Sequence, residues 1–183
     1  AAVKKPPAHI VPPAAVKGIY MSSWVAGAKK WRSELAAFAD ETEVNAIVID
    51  IKDYTGRISF LVQDGVLVGL GYSENRIPDI KEFIEELHAK NIYVIGRIAV
   101  FQDPHLAKVR PNLAIKRAAG GVWKDKQGLA WVDPASSDVW DIAARIGKEA
   151  ENVGFDELNY DYVRFPSDGN LHDIRYPFWD GKK

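Results

Sequence analysis

Val44-Asn-Ala-Ile-Val-Ile-Asp-Ile51 is a nearly continuous apolar run, mostly β-branched. A strand with one wet face alternates apolar and polar positions, because successive side chains point to opposite sides. An unbroken run fits a strand covered on both faces, as in parallel sheets flanked by helices. The run ends in charge, at Asp50, Lys52 and Asp53, and the chain then turns at Thr55-Gly56. Ile92-Tyr-Val-Ile-Gly-Arg-Ile-Ala-Val-Phe101 is a second strand of this kind, with Arg97 inside it.

Outward from these runs the pattern alternates. Val16 to Trp24 reads as a first strand running into a polar turn. Lys29 to Thr42 reads as a helix with Trp31, Leu35 and Phe38 on one apolar stripe. Ile77-Pro78 opens a second helix to Lys90, with Ile80, Phe83, Ile84 and Leu87 on one face and Pro in the first turn. Asn91 stops it. Arg57 to Asn75 reads as a short strand or hairpin, turning at Asp64-Gly65, followed by an irregular loop. A long segment containing Gly120-Gly121, Trp123 and Trp131-Val-Asp-Pro134 leads to a third helix. Ser136 or Ser137 caps that helix and Gly154 closes it.

Gly154-Phe-Asp-Glu-Leu-Asn-Tyr-Asp-Tyr-Val-Arg-Phe-Pro166 then gives a fourth strand. Glu157, Asn159 and Asp161 share one side, and Leu158, Tyr160 and Tyr162 the other. The order strand, helix, strand, helix, strand, helix, strand argues an α/β fold with parallel pairing and crossovers. Four strands are half of the eight that close a (β/α) barrel. The expected architecture is a TIM-barrel-type half barrel over residues 16–183. Residues 1–15, with four Pro, two Lys and no periodicity, read as a linker or arm.

Composition narrows the function. The 183 residues are 47% hydrophobic and 27% charged, ordinary for a globular chain. A net charge of −1 leaves no electrostatic footprint for nucleic acid. No apolar run approaches a membrane span. Without cysteine there is no thiolate metal site and no Cys nucleophile. His9, His88, His105 and His172 lack metal-ligand spacing, and there is no P-loop, nucleophile elbow or dinucleotide fingerprint. No metal and no cofactor are expected. Twenty aromatic side chains (six Trp, seven Tyr, seven Phe) supply flat rings that suit sugar faces or a core.

The charges at the strand ends are Asp50, Lys52, Asp53, Arg97, Asp161 and Arg164. In a parallel barrel the C-terminal strand ends converge on one mouth. Charge inside apolar strands requires partners or a task. One reading is a structural ion-pair network in which Asp50 and Asp161 hold Arg97 and Arg164. The other is glycoside hydrolysis, which uses two carboxyl groups flanking the scissile bond. There Asp161 fits one role, kept ionised by an arginine, while Asp50 is either its partner or a ligand for sugar hydroxyls. Asp133-Pro134 reads as a turn, with Trp123 and Trp131 nearby as cleft-lining rings.

Val48-Ile-Asp-Ile-Lys-Asp53, Ile92 to Pro104, Trp131-Val-Asp-Pro134 and Gly154 to Gly169 resemble a prokaryotic family of glycoside hydrolases, formerly a domain of unknown function, within the TIM-barrel glycosidase superfamily. The likeness runs from about residue 16 to the end. It implies a (β/α)₈ barrel with Asp161 at the end of strand four as nucleophile, or Glu157 or Asp161 as the acid. Arg97 and Arg164 would shape the site, with Asp50, Lys52, Asp53, Asn159 and Trp131 as further substrate contacts. It also implies strands five to eight and a second catalytic carboxylate beyond this chain, so that the chain by itself is expected to be catalytically incomplete. The expected partner is a poly- or oligosaccharide, at an extracytoplasmic or cell-envelope location. The alternatives are a non-catalytic carbohydrate- or cell-wall-binding barrel, or a half barrel that pairs with itself or with the missing half.

Overall fold

The computed structural model describes residues 8–181. Of the arm expected over 1–15, residues 1–7 lie outside the described part, and residues 8–15 contain no helix or strand. The strands are β1 (Gly18–Met21), β2 (Ala46–Lys52), β3 (Tyr93–Ala99), β4 (Lys116–Arg117), β5 (Glu157–Asp161) and β6 (Ile174–Arg175). The helices are α1 (Ser23–Gly27), α2 (Lys29–Asp40), α3 (Gly65–Gly69), α4 (Ile80–Ala89), α5 (Pro104–Val109) and α6 (Ser137–Val153).

Four strands form one parallel sheet in the order β1-β2-β3-β5. The two-residue strands β4 and β6 pair antiparallel beside it. The architecture is therefore α/β of the expected parallel type. One face of the sheet carries Met21, Ile47, Ile49, Ile51, Val94 and Ile98, all buried in the main core with α4 and α6. The other face carries a small cluster of Ala46, Tyr93 and Ile95, packed by Val48 and by Ile10 of the N-terminal segment. In a closed barrel this second face is the inner one.

Local chemistry explains the boundaries. Ser22 accepts from the Val25 amide and starts α1, so the polar turn after the first strand is a helix cap. Gly154 ends α6 at φ +114°, a left-handed conformation that costs glycine least. Asn91, at φ +56°, does the same after α4.

Several expectations are corrected. Asp64-Gly65 is no hairpin turn. The Asp64 carboxylate accepts from the Val66 and Leu67 amides and caps α3. Pro78 precedes α4 instead of standing in its first turn. On α2 the stripe of Trp31 and Phe38 is exposed, and Arg32, Ala36 and Ala39 are buried instead. Arg32 can lie there because its two nitrogens bind both oxygens of Asp79 at 2.7 Å and its guanidinium lies over Phe83. The long segment after β3 is not a featureless loop. It contains α5, capped by Asp103, and isolated bridges that fold residues 102–132 over the strand ends.

Candidate active site

Parallel pairing places Asp50 opposite Arg97, Arg97 opposite Asn159, and Ala99 opposite Asp161. On the inner face Arg97 donates from Nη1 to Asp50 Oδ1 and from Nε to Asp161 Oδ2, both at 2.8 Å. The Tyr20 hydroxyl, from β1, donates to the other oxygen of Asp50. One residue from each of the four strands thus joins a single polar ladder, Tyr20–Asp50–Arg97–Asp161. Its middle is dry: the Asp50 side chain is 4% exposed and that of Arg97 22%, against 44% for Asp161, and Tyr20 is 55% exposed. The buried Asp50 anchors the ladder from its middle, and one of its two open ends offers a carboxylate.

The electrostatics follow from this arrangement. Burial by itself would push the Asp161 carboxyl up. The Tyr162 amide, at 2.6 Å, and the guanidinium of Arg97, with the charge of Arg164, outweigh it and hold the group below the usual carboxylate range. Burial and the hydrogen bond to Asp50 push the Tyr20 phenol well up, so it stays a donor. Burial works against the charge on Arg97, but its bonds to Asp50 and Asp161 keep it a cation. Tyr162 itself sits at φ +55°, a strained position for an aromatic residue that forms the bend after Asp161.

Other residues singled out from the sequence fall elsewhere. Lys52 is 1% exposed and turned to the helix side. Simple alternation places it beside Asp50, but β2 carries a bulge between Asp50 and Lys52 that re-aims it. Its ammonium binds the Ala99 and Val100 carbonyls and lies 3.0 Å from Asp103, whose carboxylate also accepts from Tyr72. Lys52 is thus part of the core, not of the mouth. Asp53 is buried too, held by Arg76 at 2.6 Å and by Thr55.

Glu157 opens β5, so four residues of strand, about 13 Å, separate it from Asp161. Its nearest described partner is the Tyr93 hydroxyl at 3.2 Å. The two carboxylates expected as alternatives for the acid therefore stand at opposite strand ends. Asn159 is exposed midway between them. Along the polar row of β5, Glu157 and Asn159 are exposed and Asp161 is half-buried.

Beyond Asp161 the chain builds a cleft of about 210 Å³. Its lining includes Tyr54, Gln102, Asp125, Trp131, Tyr162 and Arg164. The Trp131 ring is 2% exposed and its Nε1 donates to Asp125. Arg164 does not join the ion-pair ladder. Its guanidinium lies over the Tyr162 ring at 4.9 Å and the Trp131 ring at 5.2 Å. Tyr20, Tyr162, Gln102 and Asp125 escaped the sequence reading. Only Tyr20 carried a signal, as a polar-tipped residue near the end of the first strand.

A family model described as "Putative glycosyl hydrolase domain" matches residues 18–183. No curated protein matches the chain. Among solved structures, a hypothetical protein from Ruminiclostridium thermocellum is 33% identical, with a TM-score of 0.83 over 90% of this chain and 84% of that one. A GH31 alpha-xylosidase from a soil metagenome is 14% identical, with a TM-score of 0.57 over 87% of this chain and 23% of its own. The alpha-galactosidase from Lactobacillus brevis is 15% identical, with a TM-score of 0.55 over 80% of this chain and 20% of its own. At those identities the two glycosidases share the TIM-barrel fold, and this chain spans about a fifth of each.

Proposed function

The chain belongs to the putative glycosyl hydrolase domain family, and from that premise we propose that it acts on a poly- or oligosaccharide, with Asp161 as a catalytic carboxylate. The observation that carries this reading is the ladder. It ends in one partly exposed carboxylate, at the C-terminal end of a parallel strand, held ionised by the Tyr162 amide and by a cation that is itself anchored. A group in that state suits attack on an anomeric carbon, or activation of water beside it. In the first case an Asp161 oxygen bonds to the anomeric carbon as the glycosidic C–O bond breaks, and a second carboxyl group protonates the leaving oxygen. Asp50 does not suit that second role, because Arg97 and Tyr20 occupy both of its oxygens. Its task is to orient Arg97. Trp24, Tyr54 and Phe165 follow the C-terminal ends of β1, β2 and β5 and stay exposed, as rings that stack on sugars do.

The ladder's complete pairing also fits a second reading, a carbohydrate-binding domain without turnover. Asp161→Asn separates the two. Under the catalytic reading, release of reducing ends falls at least about a thousandfold, while affinity measured by calorimetry stays within about threefold. A loss of affinity in a protein that shows no turnover would move the assignment to the binding reading.

A further inference from the structure

Resting on the carbohydrate reading, we propose that the cleft beyond Asp161 selects a sugar bearing a carboxylate, such as a uronic acid unit, and that Arg164 is the residue that reads it. Arg164 has no carboxylate within ion-pairing distance among the described residues, although Arg97 on β3 and Arg76, which holds Asp53, are both paired. Its Nη1 donates to the Phe165 carbonyl and to Ser167 Oγ. Its Nε and Nη2 have no protein partner among the described residues. The guanidinium carbon lies over the Tyr162 ring at 4.9 Å and the Trp131 ring at 5.2 Å, in cation–π contact with both. A guanidinium placed by two rings and by its bonds to Phe165 and Ser167, with free donors on its edge, matches the two oxygens of a carboxylate.

The rest of the cleft does not supply that recognition. Asp125 is saturated: Oδ1 accepts from the Gln127 and Leu129 amides, and Oδ2 from Gln102 and Trp131. It braces the wall. Asp168 lies on the rim with one oxygen on the Lys126 amide, and its charge opposes an anion. A neutral sugar would leave the free edge of Arg164 to water. An acidic one would use it.

The test is equilibrium binding of galacturonate, guluronate and glucuronate oligosaccharides, each beside its methyl ester, to the full chain and to its Asp161→Asn variant. The ester keeps the ring and removes only the charge. We expect at least one acid to bind about tenfold tighter than its ester. In Arg164→Gln that preference vanishes while the thermal midpoint holds, because Arg164 is exposed. Arg164→Lys keeps the charge without the fork and recovers only part of the preference, and Asp168→Asn increases it. Acid and ester binding alike, or Arg164→Gln weakening both equally, overturns the proposal and leaves the carbohydrate reading intact. A wider saccharide panel in which neutral sugars alone bind also overturns it. If no saccharide of either kind binds, the carbohydrate reading falls and the proposal with it.

Discussion

Arg97 is the residue on which the site turns, because it serves a buried anion and an exposed one at the same time. Replacing it by Met leaves Asp50 in a dry position with only the Tyr20 hydroxyl. Removing one partner of a buried pair is costly, so Arg97→Met should lower stability by about 3 kcal/mol, read as a shift of the urea midpoint with unchanged slope. A loss under about 1 kcal/mol would show that water or a neighbour relieves Asp50.

Acid acts on the other end of the ladder. The folded protein holds the Asp161 carboxyl below its unfolded value, which is about 3.9. Its contribution to stability is therefore fully present above that pH and is lost as the pH falls through the lowered folded value. Midpoints of the wild type and Asp161→Asn should differ by a constant amount from pH 7 to about 5. The difference should then close in stronger acid; a gap that widens there contradicts the assignment.

At this scale the sequence was informative where a charge interrupted an apolar run, as Asp50 and Arg97 do. It misled where residue spacing stood in for geometry. Lys52 lies two positions from Asp50, yet the intervening bulge moves it to the opposite face.

Elements position these residues through close packing. Gly96 precedes Arg97 on β3, and a Cβ there would meet Ile51 Cδ1 at 2.2 Å and Phe155 Cδ1 at 2.9 Å. Both neighbours are buried in the main core, so neither has open space to enter. Gly96→Ala should cost about 1–3 kcal/mol by overpacking and weaken the register that sets Arg97 opposite Asp50. Unchanged thermal stability would mean that the β2 bulge, where Ile51 sits, yields easily. The four strands of the parallel sheet and α6 were legible because apolar continuity, alternation and a Gly stop are local signals. The buried face of α2 was not, since the Arg32–Asp79 pair joins residues 47 positions apart. The short helix α3 was masked by a dipeptide that suits a hairpin turn and a helix start equally well.

Across the whole molecule, alternation of elements was enough to predict a parallel sheet, and the observed order β1-β2-β3-β5 follows it. The wall of the cleft was not legible. Residues 102–132 are held by isolated bridges and by Asp125, with no periodicity to reveal them. The opposite end of the sheet is tied separately. Asp156, with a buried carboxylate, accepts from the Ile10 and Val94 amides and contacts His88 at 2.8 Å. It links the N-terminal segment, β3 and α4. Asp156→Ala should cost about 1–3 kcal/mol by leaving buried donors unpaired, and should strip hydrogen-exchange protection from the Ile10 amide first. Exchange at Ile10 that is unchanged would refute that tether. The Arg97–Asp161 pair, at the other strand end, should be unaffected.

The Tyr162 amide and Arg97 together keep Asp161 ionised at the mouth of the sheet. Titration of the Asp161 side-chain carboxyl carbon by NMR, in the wild type and in Arg97→Met, tests it directly. The wild-type midpoint should lie below the ordinary carboxylate value and rise clearly when Arg97 is removed. A midpoint at or above the ordinary value, or one indifferent to Arg97, would contradict it.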